Sequence, residues 1–260
     1  MPQWSPYVVL QPDDAALDGY RDALTRLTSR GAVAGLRIQL DADGRAAHTV
    51  ALATSLRLDV LGIIDDGDLF AADVEGEFDR YRAVYPQVTT FQVGNEVTTS
   101  PVRPLTIDRY LDVFLRMYAY AASRYPDVTL VTQAAFGAGQ IGSDDLAVTI
   151  RRFDSLGSLP RVVLALNVYT SRALLAYTAT LHDVPPHYRI WVTETGVGDP
   201  DAAASYVAQA YPLLEALPAE RVYWYALWAG DKGRDSGFSL IGNPITLPIS
   251  TRPLFQLLTK

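Results

Sequence analysis

Short apolar segments alternate with longer amphipathic segments along the whole chain, and this alternation constrains the fold more than any other feature. Strict β–α alternation predicts a parallel sheet, and strands that are almost continuously apolar predict burial on both faces. Eight such units in 260 residues favour a closed (β/α)8 barrel, the TIM barrel of the α/β class, over an open doubly wound sheet. The predicted strands are 7–11, 34–41, 58–66, 89–97, 128–137, 161–170, 188–196 and 221–230.

Composition and charge limit the organisation of the chain and its partners. No compositional break or low-complexity linker divides it, so we predict one domain spanning residues 1–260. A net charge of −7 argues against a nucleic-acid partner, which would require a basic surface. No apolar run is long enough to predict a membrane span. We expect a monomer. No signal peptide is visible, which leaves a cytoplasmic protein and a secreted protein with a removed signal both open.

Polar side chains follow the predicted strands where a barrel of this type carries its chemistry, at the carboxyl ends. Two of them are glutamates, Glu96 at the end of the fourth strand and Glu194 at the end of the seventh. Asn95, Asn167 and Tyr169 would surround them with neutral hydrogen-bonding groups. Other polar residues at strand ends are Gln39, Asp41, Asp65, Asp66 and Gln133. One isolated glutamate could cap a helix or pair with an arginine, but two at the same mouth favour a functional pair.

Paired carboxyl groups in a pocket suit the cleavage of a glycosidic bond. One carboxyl, kept protonated by a raised pKa, gives its proton to the leaving oxygen. The other, ionised, attacks the anomeric carbon or stabilises the developing cation. The distance between the two groups separates inverting from retaining enzymes, and a sequence does not contain that distance.

Two motifs, "VGNEV" (93–97) and "WVTETG" (191–196), resemble the signature of clan A glycoside hydrolases. Members of this clan are retaining enzymes on a (β/α)8 barrel, with one glutamate on the fourth strand and one on the seventh. The resemblance follows the strand order along essentially the whole chain. "VGNEV" and "LNVYTSRALLAY" (166–177) look most like endo-1,3-β-glucanases of the plant and fungal type. Bacterial β-glycanases and β-xylosidases of the clan fit nearly as well.

The resemblance implies roles for the two glutamates and a set of substrate-binding residues. Glu96 would be the general acid/base and Glu194 the nucleophile, without a cofactor or a metal. The implied partner is a carbohydrate, with Asn95 donating a hydrogen bond to the sugar 2-hydroxyl. The resemblance also implies Arg37 and Tyr169 beside the nucleophile and Trp228 as an aromatic platform. Asn167 and Asp65 are further candidates near the sugar because of their own positions, at the end of the sixth strand and in the rim loop after the third.

The chain departs from the glucanase pattern at two places. Thr170 follows Tyr169 where those enzymes have proline, and the seventh strand ends in "TETGVGDP" where they have Ser-Glu-Ser/Thr-Gly-Trp-Pro. The sugar and linkage therefore stay open, and an inactive carbohydrate-binding barrel is the alternative to an enzyme.

Other chemistries find less support in the sequence. "GAGQIG" (137–142) matches a dinucleotide-binding pattern but follows the fifth predicted strand instead of the first. "DDGD" (65–68) is the best candidate for binding Ca²⁺ or Mg²⁺, although a rim loop is the simpler interpretation. A metal-dependent isomerase or an aldolase-like lyase is disfavoured because histidines and strand-end lysines are scarce. No G-x-S-x-G motif supports a Ser-His-Asp hydrolase.

Overall fold

The computed structural model describes residues 7–134, 140–157, 159–182, 184–215, 217–230 and 235–260. Within them eight parallel strands form a closed barrel in chain order, which confirms the predicted (β/α)8 fold. The strands are β1 Tyr7–Leu10, β2 Gly35–Gln39, β3 Asp59–Ile64, β4 Thr90–Val93, β5 Thr129–Val131, β6 Val162–Val168, β7 Arg189–Thr195 and β8 Ala219–Trp224.

Helices surround the barrel and bury their apolar faces against it. They are α1 Leu17–Thr28, α2 Ala47–Ser55, α3 Val74–Val84, α4 Ile107–Arg124, α5 Gln140–Asp154, α6 Ser171–Leu181, α7 Ala203–Glu215 and α8 Pro253–Leu258. Thr106 caps α4, because its hydroxyl accepts a hydrogen bond from the backbone N–H of Arg109. In the described part of the chain, no helix has the length and apolar character needed to cross a membrane.

The core has two parts, one on each side of the strands. A large cluster fills the space between strands and helices, and Leu36, Ile38, Phe91 and Val93 belong to it. Inside the barrel lies a smaller apolar cluster, made of Val9, Leu61, Val131, Ala134, Val163, Ala165, Trp191, Tyr223 and Ala226. Because successive side chains of a strand face opposite ways, Arg37 and Gln92 point into the barrel. Arg37 and Gln92 thus lie inside the barrel, together with the smaller apolar cluster.

Several predicted strands extended too far. β4 ends at Val93 and β8 at Trp224, whereas the predictions ran to 97 and 230. Beyond Trp224 the backbone no longer follows the hydrogen-bonding pattern of the parallel sheet. The N–H of Leu227 donates to the carbonyl of Val9, and the N–H of Ala226 donates to the carbonyl of Phe238 in the following loop. Apolar sequence alone does not distinguish such a buried loop from a strand. Of the six residues in the "GAGQIG" match, 137–139 lie outside the described residues.

Candidate active site

Arg37 is the polar centre of the barrel mouth. Its guanidinium is 1% exposed and donates three hydrogen bonds. Nε donates to Gln92 Oε1 at 2.8 Å, Nη1 to Glu194 Oε1 at 2.5 Å, and Nη2 to Asn95 Oδ1 at 2.8 Å. Three strands and the loop after β4 therefore meet at one buried cation. The rigid geometry of guanidinium fixes its acceptors relative to one another, which lysine could not do.

Glu194 faces Arg37 because β7 contains an irregularity. Ile190 and Val192 pack outside the barrel, so simple alternation would turn Glu194 outward as well. The register of β7 shifts, so that Leu166 lies opposite Val192 but Asn167 lies opposite Glu194. The extra residue, Thr193, acts as a β-bulge that turns the glutamate towards the barrel interior.

Both carboxyl oxygens of Glu194 accept hydrogen bonds. Oε1 accepts from Arg37 and from Asn95 Nδ2 at 3.2 Å, and Oε2 accepts from the Tyr169 hydroxyl at 2.6 Å. In each of these hydrogen bonds Glu194 is the acceptor. The two oxygens of an ionised carboxylate have enough lone pairs to accept all three. The side chain is 8% exposed, so these contacts hold the carboxylate in a largely buried position.

Glu96 has a different environment at the same mouth. Its Oε1 accepts one hydrogen bond, from Asn167 Nδ2 at 2.8 Å. The Asn167 amide is oriented by the Thr193 hydroxyl, which donates to its Oδ1 at 3.0 Å. Burial, and then the negative charge of Glu194, raise the pKa of the Glu96 carboxyl to about 8, against smaller opposing contributions from Asn167 and Arg37. Its environment therefore favours the protonated form of Glu96.

Asp65 does not share these contacts. It is exposed, and its carboxylate accepts from the backbone N–H of Gly67 at 2.7 Å, capping a short 3₁₀ turn at Asp66–Phe70. Its contact with a sugar stays a prediction.

The next residue, Asp66, lies closer to the two glutamates, since its Oδ1 accepts from the backbone N–H of Asn95 at 2.8 Å. The sequence places Asp66 at the strand end and within the run 65–68, but does not predict its contact with the turn at Asn95.

The remaining predicted aromatic residue, Trp228, is half-buried and packs against the outer core. Its role as a sugar platform stays a prediction.

Tyr225 is an aromatic side chain near the two glutamates. Burial, followed by the charges of Asp235 and Glu194, raises the pKa of its hydroxyl to about 12. Its ring meets those of Tyr169 and Phe238 edge-on, with centroids 6.5 and 5.7 Å away. The sequence contains several aromatic residues in the predicted eighth strand. Tyr225 could not be distinguished from them without knowing that β8 ends at Trp224.

Two other strand-end residues have structural partners. Gln133 accepts from the backbone N–H of Thr98 at 3.1 Å and donates to its hydroxyl at 3.0 Å, so it holds the loop after β4. Thr170, at the first departure from the glucanase pattern, caps α6 by accepting from Ala173 N–H at 3.1 Å. This capping contact gives the threonine a local structural function.

The acidic run 65–68 does not form a metal cluster. Its three aspartates accept from different donors, namely Gly67 N–H, Asn95 N–H and the Tyr81 hydroxyl. Across the residues that the structure describes, no three His, Cys, Asp or Glu side chains are grouped so as to hold a metal ion.

Comparisons with known proteins were made in sequence and in structure. No protein-family model matches the chain, and no curated protein matches it in sequence. Solved structures do match: an endo-β-1,3-glucanase of glycoside hydrolase family 128 (subgroup I) from Amycolatopsis mediterranei, in complex with laminaritriose and laminaribiose, is 17% identical with a TM-score of 0.62. That alignment covers 98% of each chain.

Two further solved structures are xylanases. A psychrophilic family 10 endo-β-1,4-xylanase is 10% identical, with a TM-score of 0.65, and the alignment covers 98% of this chain and 97% of that one. The family 30 xylanase Xyn30A from Clostridium acetobutylicum is 11% identical, with a TM-score of 0.59, covering 100% of this chain and 70% of its own. At these identities the similarity establishes the fold, which is the barrel found in clan A glycoside hydrolases.

Proposed function

We propose that this protein is a retaining glycoside hydrolase that cleaves β-glycosidic bonds in a poly- or oligosaccharide. The observation that carries the proposal is the contrast between two carboxyl groups at one barrel mouth. Glu194 accepts three hydrogen bonds, which suits an anion, whereas burial gives Glu96 a pKa of about 8 and keeps it protonated at neutral pH. Environments that separate the protonation states of two carboxyls are typical of acid–nucleophile pairs.

In the first step a Glu194 oxygen attacks the anomeric carbon. The glycosidic C–O bond breaks, its electron pair stays on the leaving oxygen, and that oxygen takes the proton of Glu96. In the second step Glu96, now a carboxylate, removes a proton from water. The water oxygen attacks the anomeric carbon, the sugar–Glu194 ester bond breaks, and Glu194 is again a carboxylate. Two inversions leave the β configuration of the product unchanged.

The other residues hold this pair ready. Arg37, Asn95 and Tyr169 fix the orientation of Glu194 before substrate binds, so little reorganisation is needed during attack. Asn167 fixes Glu96 in the same way. Asn95 can also meet the sugar 2-hydroxyl beside the nucleophile, the contact that the clan A resemblance implies.

For the substrate we propose β-1,3-glucan as the first candidate. The motif "VGNEV" resembles endo-1,3-β-glucanases, and the family 128 neighbour was solved with laminaritriose and laminaribiose. Xylan and β-1,4-glucan come next, because the other neighbours include a β-1,4-xylanase and a β-1,4-glucanase.

The test is hydrolysis of β-1,3-glucan, β-1,4-glucan, xylan and mannan by the wild type, Glu194→Ala and Glu96→Ala. Glu77→Ala is the matched control, since Glu77 lies on the outer helix α3 and pairs with Arg80. We expect turnover of one polysaccharide class, reduced about a thousandfold or more in both site variants and unchanged in the control.

Azide distinguishes the two roles. With an activated aryl β-glycoside, Glu96→Ala should form a β-glycosyl azide, because the nucleophile still makes the intermediate. Glu194→Ala should form the α-glycosyl azide, because azide attacks directly. No turnover of any glycan, with glycans still bound, would instead support an inactive carbohydrate-binding barrel.

A further inference from the structure

The turn that presents Asn95 and Glu96 has an unusual backbone. Gly94 has φ = +72° and Glu96 has φ = +55°, so two residues of three lie in the left-handed region. Glycine adopts this conformation freely, but a glutamate does so at a cost of about 1 kcal/mol or more. Such a conformation persists only where its surroundings hold it. The contacts of this turn therefore decide where the proposed acid/base points.

Hydrogen bonds hold the Glu96 end of the turn and its middle residue, Asn95. The backbone N–H of Glu96 donates to Ala134 O at 3.1 Å, and its carbonyl accepts from Thr99 N–H at 3.0 Å. Between Gly94 and Glu96, the N–H of Asn95 donates to Asp66 Oδ1 at 2.8 Å. The Thr99 hydroxyl also donates to the Glu96 carbonyl, at 3.2 Å, whereas Asp66 accepts from the turn through a carboxyl group, which is charged when ionised.

Asp66 is placed tightly against the same turn. A β-carbon added to Gly94 would lie 3.2 Å from Asp66 Oδ1, and closer still to Leu69 and Val97. The short 3₁₀ turn that begins at Asp66 thus packs directly on the backbone at Gly94. Burial raises the pKa of Asp66 to about 6, with Asp65 adding to the rise while Asn95 N–H and Arg37 oppose it.

We propose that Asp66 is a positioning residue that holds the Gly94–Glu96 turn and places a negative charge beside Glu96. Both roles follow from its 2.8 Å hydrogen bond to the N–H of Asn95, the residue next to Glu96 in the chain. The inference rests on the proposed function for its catalytic meaning. It extends that function by assigning a third carboxylate, one that touches neither the proposed nucleophile nor the leaving group.

Two substitutions separate the hydrogen bond from the charge. Asp66→Asn keeps an acceptor oxygen for Asn95 N–H and removes the charge. Asp66→Ala removes both. The matched control is Asp68→Asn, which makes the same change of charge on the same 3₁₀ turn, where the carboxylate accepts from the Tyr81 hydroxyl.

The first readout is the pKa of Glu96, from the ¹³C signal of its carboxyl carbon during a pH titration. This measurement needs no turnover. Removing the Asp66 anion leaves the other groups in place, so the pKa of Glu96 should fall in both Asp66 variants and stay at the wild-type value in Asp68→Asn. Those other titratable or charged groups near Glu96 are Arg37, Tyr169, Tyr177, Glu194 and Tyr225.

The second readout is kinetic, on the glycan that the wild type hydrolyses. Loss of the hydrogen bond lets the turn move, so Asp66→Ala should lose about tenfold to a hundredfold in kcat with a much smaller change in KM. Asp66→Asn should keep kcat within a few-fold of the wild type at its optimum, while the alkaline limb of its pH profile moves to lower pH.

The two readouts keep this inference separate from the proposed function. If the wild type hydrolyses no glycan, the proposed function fails, and the titration still decides whether Asp66 controls Glu96. An unchanged pKa of Glu96 in both Asp66 variants overturns the inference. So does equal kcat in Asp66→Ala and the wild type. Asp66→Asn decides the question if Asp66→Ala does not fold.

Discussion

Replacing Arg37 by methionine tests the centre of the site without relying on any substrate. The methionine fills similar space but donates no hydrogen bond. Glu194, at 6% exposure, then loses its buried ion pair, and Gln92 and Asn95 lose a donor each. Breaking a buried pair by removing one partner costs about 3–5 kcal/mol, because the other charge is left uncompensated. We expect Arg37→Met to lower the free energy of unfolding by about that amount.

A double-mutant cycle isolates the pair itself. Urea unfolding at pH 7 of the wild type, Arg37→Met, Glu194→Gln and the double variant gives the four free energies. The double variant removes both charges, so the cycle should show a coupling energy of about 2 kcal/mol or more. Arg80→Met is the control, since its partner Glu77 lies on the surface and such pairs contribute about 0–1 kcal/mol. A loss below about 1 kcal/mol in Arg37→Met, or additive single effects, would refute the reasoning.

Three further predictions follow from the turn and its neighbours. Because the pKa of Glu96 is raised to about 8 in the folded protein, above the 4.5 that is usual for a glutamate, the free energy of unfolding decreases as pH rises between these values. Glu96→Gln should therefore resist urea better than the wild type at pH 8 and show little advantage at pH 4; an equal advantage at both would contradict this. Gly94→Ala places a β-carbon about 2.5 Å from Val97 and Leu69 at φ = +72°, so we expect a lower Tm and weaker activity, checked by calorimetry and hydrolysis. Gln92→Leu leaves a buried guanidinium N–H without its acceptor, which should cost about 1–3 kcal/mol in urea unfolding, and a smaller loss in Gln92→Glu would confirm the role of the acceptor.

The barrel and its polar mouth could be predicted because their signals are periodic. Strand-end positions predicted Glu96, Glu194, Asn167 and Tyr169 at one rim. In the structure Glu194 bonds to Arg37 and Tyr169, and Glu96 bonds to Asn167. All the strands of a parallel barrel have their carboxyl ends at the same rim, so the order of strands along the chain was enough to predict which side chains share that rim.

The missing details come from departures from regular geometry. The bulge at Thr193 reverses the facing of Glu194, and no alternation rule contains it. Gln92 was read as ordinary strand, although its 0% exposure beside a buried arginine makes it a partner of that charge. Asp66, in the loop after β3, accepts from the backbone N–H of Asn95, in the loop after β4. This contact depends on how the two loops pack against each other. The predicted monomer stays a prediction.

The most direct test of the central claim is the anomeric configuration of the first product, followed by ¹H NMR during hydrolysis of a soluble β-1,3-glucan oligosaccharide. If Glu194 forms a covalent intermediate that water then cleaves with the help of Glu96, the β anomer appears first, and the α anomer grows in only by mutarotation. An α anomer formed first would mean a single displacement by water and would contradict the assignment of Glu194 as nucleophile.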